Sequence, residues 1–293
     1  MSNATNPPPT LQQVCDRALR LPCSPALLPR LISVISAPDS SAEEIAQLIM
    51  VDPSLAGSTL RLANSAYFGA GAKVASVADA VFRLGQKELF RLASLALVSR
   101  WESGVEGRGG PGDFCRHAFC TGLAAEALAE MTHQVEPETA YTAGLVCDLG
   151  KLAIGHACTA FLPALYARCA DGTCTWLQAE RELLGYTHLE IGARLLRVWN
   201  FPSALVAAAE YCERPSQGPA EYQPLLAHLH AAKFVAISFG PGVPEEGFLF
   251  ELDTAFLTER GFTETMLQES MATLHDRAKA RLQDKLSHGA LAV

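Results

Sequence analysis

The chain has 293 residues, 49% hydrophobic and 18% charged, with a formal net charge of −8. That length suits one large domain or two small ones with roughly three quarters of the unfolded surface buried; the acidic balance argues against the basic face of a nucleic-acid binder. No apolar run approaches the roughly 20 residues of a membrane span, and the polar, Pro-rich start from Met1 to Pro9 lacks a signal peptide's basic and apolar regions, so a cytoplasmic protein with no membrane partner is expected.

Apolar residues recur with the helical period from end to end, and nothing alternates with period two over a useful length. The first helix follows Thr10, with Leu11, Val14, Ala18 and Leu19 on one stripe, and Pro22 and Pro25 break it. A second helix carries Leu27, Leu28, Leu31, Ile32 and Ile35. Ser41 and Glu44 form a capping box, in which the Ser oxygen takes an orphan helix N–H and the Glu reaches back. Asp52-Pro53 opens the next helix, with Asp at the N-cap and Pro where its missing N–H costs nothing. That helix ends at Asn64-Ser65 before the connector Gly69-Ala70-Gly71, and this polar pair is expected to be buried against helix-end carbonyls. Ser76 caps a short helix closed by Gly85, and a strongly apolar helix follows from Glu88 to Val98. Residues 104–112 hold five glycines and a proline, which places a subdomain boundary there.

The second half continues in helices: Phe114 to Met131, one from Pro137 that bears Cys147-Asp148, Phe161 to Cys169, and Trp176 to Leu184 closed by Gly185. Thr187 and Glu190 make another capping box, opening a helix to Trp199; Pro202 to Tyr211 and Leu225 to Phe239 complete this body. A loop with two prolines and an amphipathic tail from Thr263 to Leu286 end the chain. The expected organisation is an N-terminal helix over 1–20, a first helical subdomain over 21–103, a second over 113–240, and a C-terminal loop and helix over 241–293. The fold class is all-α.

The nine cysteines sit within apolar helical patterns with no Cys-x-x-Cys pair, which reads as buried free thiols. Cys115, His117 and Cys120 could suggest a zinc half-site. Helical geometry sets the two cysteines about 140° apart, however, and no second pair follows, so they read as core.

Asp52-Pro53-Ser54-Leu55 and Leu60-Arg61-Leu62-Ala63-Asn64-Ser65-Ala66, followed by Ala80 to Gly85, resemble the HDOD (HD-related output domain) family. The resemblance resumes at Arg116-His117, Asp148-Leu149-Gly150-Lys151, Glu180-Arg181-Glu182 and Gly185-Tyr186-Thr187-His188, and covers about two thirds of the chain, from Leu21 to Pro215. Asp52, Pro53, Leu62, Ala63, Asn64, Ser65 and Gly85 carry its signature. It implies a multi-helix fold similar to that of HD-domain metal phosphohydrolases, a role in bacterial signal transduction, and no catalysis.

In those phosphohydrolases His117 would match a first metal ligand, an adjacent His-Asp the next two, and a later acidic residue the fourth. Here Cys147 precedes Asp148 in place of His, and no Asp or Glu occurs between Gln223 and Gly240, where Lys233 falls near the fourth-ligand position. A further His pair found in many relatives is replaced by Cys212-Glu213. The resemblance thus implies a vestigial pocket of His117, Cys147, Asp148, Lys151, His188 and Lys233, with no metal, cofactor or catalytic residue. A buried Asp148 requires a partner, for which His117, Lys151 and Lys233 are candidates. Lys151 would otherwise favour a helix C-terminus, His188 would otherwise be a surface residue, and Lys233 would otherwise snorkel.

The leading expectation is a non-catalytic scaffold that binds an unidentified signalling protein in trans. Alternatives are a divergent zinc phosphohydrolase using His117, Cys147, Asp148 and His188, and a sensor of a small anion or nucleotide held by Lys151 and Lys233. The residues fix neither the partner nor the oligomeric state.

Overall fold

A computed structural model describes residues 7–20, 30–31, 33–34, 41–64, 73–102, 113–170, 172–239 and 249–286. The described residues contain α- and 3-10 helices and no strand. The expected second helix around 27–35 lies largely outside them, as do Ser65, the glycine connector at 69–71 and the linker at 104–112.

The chain divides into two units, one of Met1–Pro22 with Gly104–Leu274 and the other of Cys23–Ser103 with His275–Val293. The N-terminal helix therefore groups with the second expected subdomain, and the expected C-terminal segment is split between the units.

The smaller unit is built from α2 (Ala42–Met50), α3 (Pro53–Ala63) and α4 (Val77–Glu102). Ser41 and Glu44 form the capping box that begins α2. Asp52 Oδ1 accepts from the Leu55 N–H at 3.1 Å at the start of α3. Gly85 interrupts α4 with φ 74°, a left-handed value that a Cβ would strain. Asn64 departs from the expectation, because it is exposed. Its amide nevertheless donates to Leu60 O (3.0 Å) and Val74 O (2.8 Å) and accepts from Val74 N (2.8 Å), tying the end of α3 to the segment before α4.

The larger unit contains α1 (Leu11–Leu19), α5 (Asp113–Thr132), α6 (Pro137–Val146), α7 (Leu149–Ala157), α8 (Leu162–Cys169), α9 (Trp176–Leu184), α10 (His188–Val198), α11 (Ser203–Tyr211), α12 (Gln223–Phe239) and α13 (Thr254–Glu259). A last helix, α14 (Glu264–Leu286), crosses the division between the units. Capping boxes open α1 (Thr10, Gln13), α9 (Thr175, Gln178) and α10 (Thr187, Glu190). Arg17 of α1 donates to Ala157 O at the end of α7 (2.9 Å), and Tyr186 OH donates to Pro9 O (2.6 Å), fixing the N-terminal segment to this body.

Glycines set the closest helix contacts. A Cβ on Gly144 of α6 would lie 2.7 Å from the backbone of Gly122 on α5, so bare backbone faces bare backbone where these helices cross. A Cβ on Gly150 would stand 1.9 Å from His188 O, so α7 and α10 can meet at their first turns only without a side chain there. These crossings bring His117, Asp148 and His188 to one place.

One expected boundary is corrected. Cys147 and Asp148 are not within a helix: α6 ends at Val146, and Asp148 is the N-cap of α7. Lys151 therefore occupies a first turn, the end of a helix where its charge opposes the dipole. The eight described cysteines are all buried. No single helix among the described residues is long and apolar enough to cross a membrane.

Candidate functional site

Asp148 is the centre of a buried cluster in the larger unit. Its carboxylate makes no cap hydrogen bond to the α7 backbone and turns toward side chains instead. Lys233, projecting from α12, places Nζ 2.8 Å from Asp148 Oδ1. The same ammonium is 2.9 Å from Glu213 Oε1 and 3.8 Å from Cys212 Sγ. The α12 helix is buried on nearly all sides, and Lys233 is only 1% exposed, so snorkelling is ruled out and its charge must be met inside.

Other cations complete the cluster. Lys151 Nζ stands 3.5 Å from Asp148 Oδ1, which offsets its poor place in the α7 dipole. His188 is fully buried. Its Nδ1 and its backbone N–H both lie 2.8 Å from Glu180 Oε2, and Trp176 Nε1 donates to Glu180 Oε1 at 2.8 Å. His188 Nε2 then faces Glu213 Oε1 at 3.4 Å and Asp148 Oδ1 at 3.6 Å. His117 Nε2 is 3.8 Å from Asp148 Oδ2.

These neighbours set the direction in which the buried groups shift. Burial would raise the Asp148 carboxyl, yet Lys151, Lys233 and His188 hold it well below the usual range. Burial works against Glu213 too, but Lys233 and His188 lower it strongly; its side chain is 18% exposed, the most open of the group around Lys233. For His188 burial disfavours charge, while the Glu180 carboxylate opposes this and the pKa rises well above its ordinary value. Lys233, though desolvated, is held charged by Asp148, Cys212 and Glu213.

The second layer is neutral. His230 on α12 has Nδ1 at 2.9 Å from Cys212 O, while its Nε2 accepts from Asp253 N at 3.0 Å. These partners require the Nδ1–H tautomer and keep the turn after α11 in position.

All six expected pocket residues lie in this cluster. Three others were not in that set: Glu180, Cys212 and Glu213. Glu180 carried a signal, since it falls on the Leu177 and Leu184 stripe of α9, where an apolar residue is expected. The family resemblance set Cys212-Glu213 against a His pair, and it was read as a loss of ligands rather than as a counterion to Lys233.

An HD-type divalent metal does not fit these residues. Two groups have ligand-type atoms close together, Cys147 with Asp148 and Cys212, and Asp148 with His188 and Glu213, each within 4.8 Å. The Lys233 ammonium is bonded to both Asp148 and Glu213, and His188 directs a protonated nitrogen at the same carboxylates. A metal would have to displace one buried cation and deprotonate another.

The HDOD domain model matches residues 21–215. The chain belongs to the HDOD family. An HDOD domain protein of unknown function from Geobacter sulfurreducens has the same fold, with a TM-score of 0.74 at 20% identity, over 97% of this chain and 98% of that one. A Shewanella amazonensis protein described as a candidate phosphohydrolase is 28% identical with a TM-score of 0.69, over 92% and 97% of the two chains. A Marinobacter aquaeolei protein described as a candidate signal-transduction protein shares the fold at 23% identity and a TM-score of 0.73, over 99% of this chain and 63% of that one. An uncharacterised Treponema pallidum protein is 28% identical over 223 residues, which are 73% of this chain and 41% of that relative's length.

Proposed function

We propose that this chain is a non-catalytic signal-transduction module that regulates a protein partner in trans. The observation that carries the reading is the Lys233 ammonium between Asp148 and Glu213. A permanent internal cation supplies charge balance without supplying an open coordination position, and so no activated water. Family membership and the Marinobacter relative's description support a signalling role. The partner class most consistent with this reading is a second-messenger enzyme or a kinase.

A second reading, a divergent metal-dependent phosphohydrolase, is favoured by the two groups of ligand-type atoms and by the Shewanella relative's description. It requires Lys233 to leave the cluster. The anion-sensor reading has less support, because Lys151 and Lys233 both face Asp148.

The test is to incubate the purified full chain with zinc, manganese or magnesium, dialyse it, and measure both retained metal and hydrolysis of phosphomonoesters and cyclic dinucleotides. Neither retention nor turnover is expected. About one tightly held metal per chain, with turnover abolished by Asp148→Asn, would establish the phosphohydrolase reading instead. Affinity capture with the full chain as bait is expected to return a signalling enzyme, reproducibly and in near-equal amount.

A further inference from the structure

Cys147 and Cys212 occupy equivalent places at the edge of the cluster. Cys147 is the C-cap of α6 and immediately precedes Asp148, and Cys212 is the C-cap of α11 and immediately precedes Glu213. Lys233 holds both acidic residues, so the two turns are drawn together from positions distant in sequence. Their sulfurs lie within 4.8 Å of each other. Cys212 adds to the charge around Lys233, but the proposed signalling role uses no thiol chemistry at either position.

We propose that Cys147 and Cys212 are an oxidative modification site, converted by hydrogen peroxide or a small organic hydroperoxide into an intramolecular disulfide. Cys212 is the attacking sulfur, because Lys233 Nζ lies 3.8 Å from it and stabilises its thiolate. The neighbouring Cys147 thiol, whose S–H donates to Gly144 O at 3.4 Å, also favours the Cys212 thiolate, while burial and Lys233 act in opposite directions on it. Cys147 itself is held as the thiol by Cys212, by burial and by the Asp148 charge. The other shifted thiols outside this pair, Cys15, Cys120 and Cys158, are raised by burial although an arginine acts on each; Cys120 is pushed up to about 12. Cys212 and Cys147 are buried, but Glu213, next in sequence to Cys212, has a side chain 18% exposed, which makes its side the approach for a small peroxide.

In the first step the Cys212 thiolate attacks a peroxide oxygen, the O–O bond breaks, and Cys212 becomes a sulfenic acid as hydroxide (or alkoxide) leaves. Cys147 sulfur then attacks the sulfenic sulfur; the S–S bond forms, the S–O bond breaks and a second hydroxide leaves. The two thiol protons convert the two leaving groups into water, or into water and an alcohol. Two electrons pass from the thiols to the peroxide, and the balance closes without another reactant. The product links the two turns that carry Asp148 and Glu213, and so fixes both carboxylates around Lys233.

The site is independent of whether the protein has a partner or a substrate. The full chain, kept in chelator, is treated with increasing hydrogen peroxide, alkylated and mapped by mass spectrometry without reduction. A linked Cys147–Cys212 peptide pair, two hydrogen atoms lighter than the sum of its parts, is expected, with two fewer free thiols than the nine in the sequence. Dithiothreitol should reverse it, and the oxidised form should melt at a higher temperature. In Cys147→Ser, dimedone should capture a sulfenic acid at Cys212. If that variant does not fold, the wild-type map decides alone. Both cysteines remaining alkylatable while other thiols oxidise would overturn the proposal. So would a Lys233–Cys212 bridge through nitrogen, oxygen and sulfur, recognised by one added oxygen and two lost hydrogens.

Discussion

Asn64 and Lys233 each hold separate pieces of the chain together, but by different means. Asn64 is exposed, and its hydrogen-bond partners lie at most ten residues away, at Leu60 and Val74. Lys233 is 1% exposed, and its partners are 20 and 85 residues away in sequence, at Glu213 and Asp148. Water can replace much of what Asn64 supplies. Lys151 and His188 stand farther from Asp148, at 3.5 and 3.6 Å, so removing Lys233 takes away the nearest buried cation and leaves the carboxylates less well paired. In this chain the local bonds organise helix ends, while the distant ones decide which chemistry the buried cluster can support.

The largest expected effect follows from that contrast. Lys233→Met leaves Asp148 buried without its nearest cation and should destabilise the protein by about 3–5 kcal/mol in urea titration. A loss below about 1 kcal/mol would show that Asp148 is readily rehydrated and that the two kinds of contact are less different than their burial implies.

Gly150→Ala should cost about 3 kcal/mol, the upper end for overpacking. The added Cβ meets the His188 carbonyl on backbone that cannot move without carrying His188 away from Glu180. An unchanged urea midpoint would mean that α7 and α10 can separate freely.

Glu180→Gln should cost about 1–3 kcal/mol, with a characteristic pH dependence. His188 has a folded pKa raised well above its ordinary 6.5. Its contribution is therefore complete below about pH 6.5 and disappears as pH rises through the folded value. The difference between wild type and variant should accordingly be largest near pH 6 and shrink on the alkaline side. Asp148 and Glu213 have lowered values, so their contribution is present above their ordinary 3.8 and 4.5 and is lost as pH falls through the folded values. A difference that grows with alkalinity would contradict the assignment of a charged His188.

Asn64→Leu is expected to have the smallest effect, about 0.5–1.5 kcal/mol for hydrogen bonds that water can partly replace. A larger loss in the urea midpoint would place Asn64 nearer to Lys233 in kind.

The same contrast explains what was legible in the sequence. The Ser41–Glu44 and Thr187–Glu190 boxes could be read because both partners lie three residues apart. The boxes at Thr10 and Thr175 have Gln in the third position, an equally local pattern that was open to the same reading. The break between Val146 and Leu149 was hidden because it is only two residues long, has no Gly or Pro at the turn, and its Asp148 was read as a site residue rather than as a helix start. Asn64 was read as buried from its place at a helix end, but its partner Val74 lies beyond the connector, and this lets it work at the surface. Apart from Glu180 on the α9 stripe, the buried cluster has no periodic signature. The Lys233 position came only from its register in the family resemblance, and Glu213 was missed because a carboxylate replacing a ligand pair has meaning only once Lys233 is beside it.

The central claim is that Lys233 serves Asp148 as the cation that a metal would otherwise provide. A double-mutant cycle with Lys233→Leu, Asp148→Asn and the double variant, read by urea stability, tests it most directly. Glu213 is part-exposed and can rehydrate in the double variant, so the double change should recover most of the loss caused by Lys233→Leu. The predicted coupling is above about 1 kcal/mol, within the usual range for contacting residues. Additive losses, with coupling below about 0.5 kcal/mol, would contradict it.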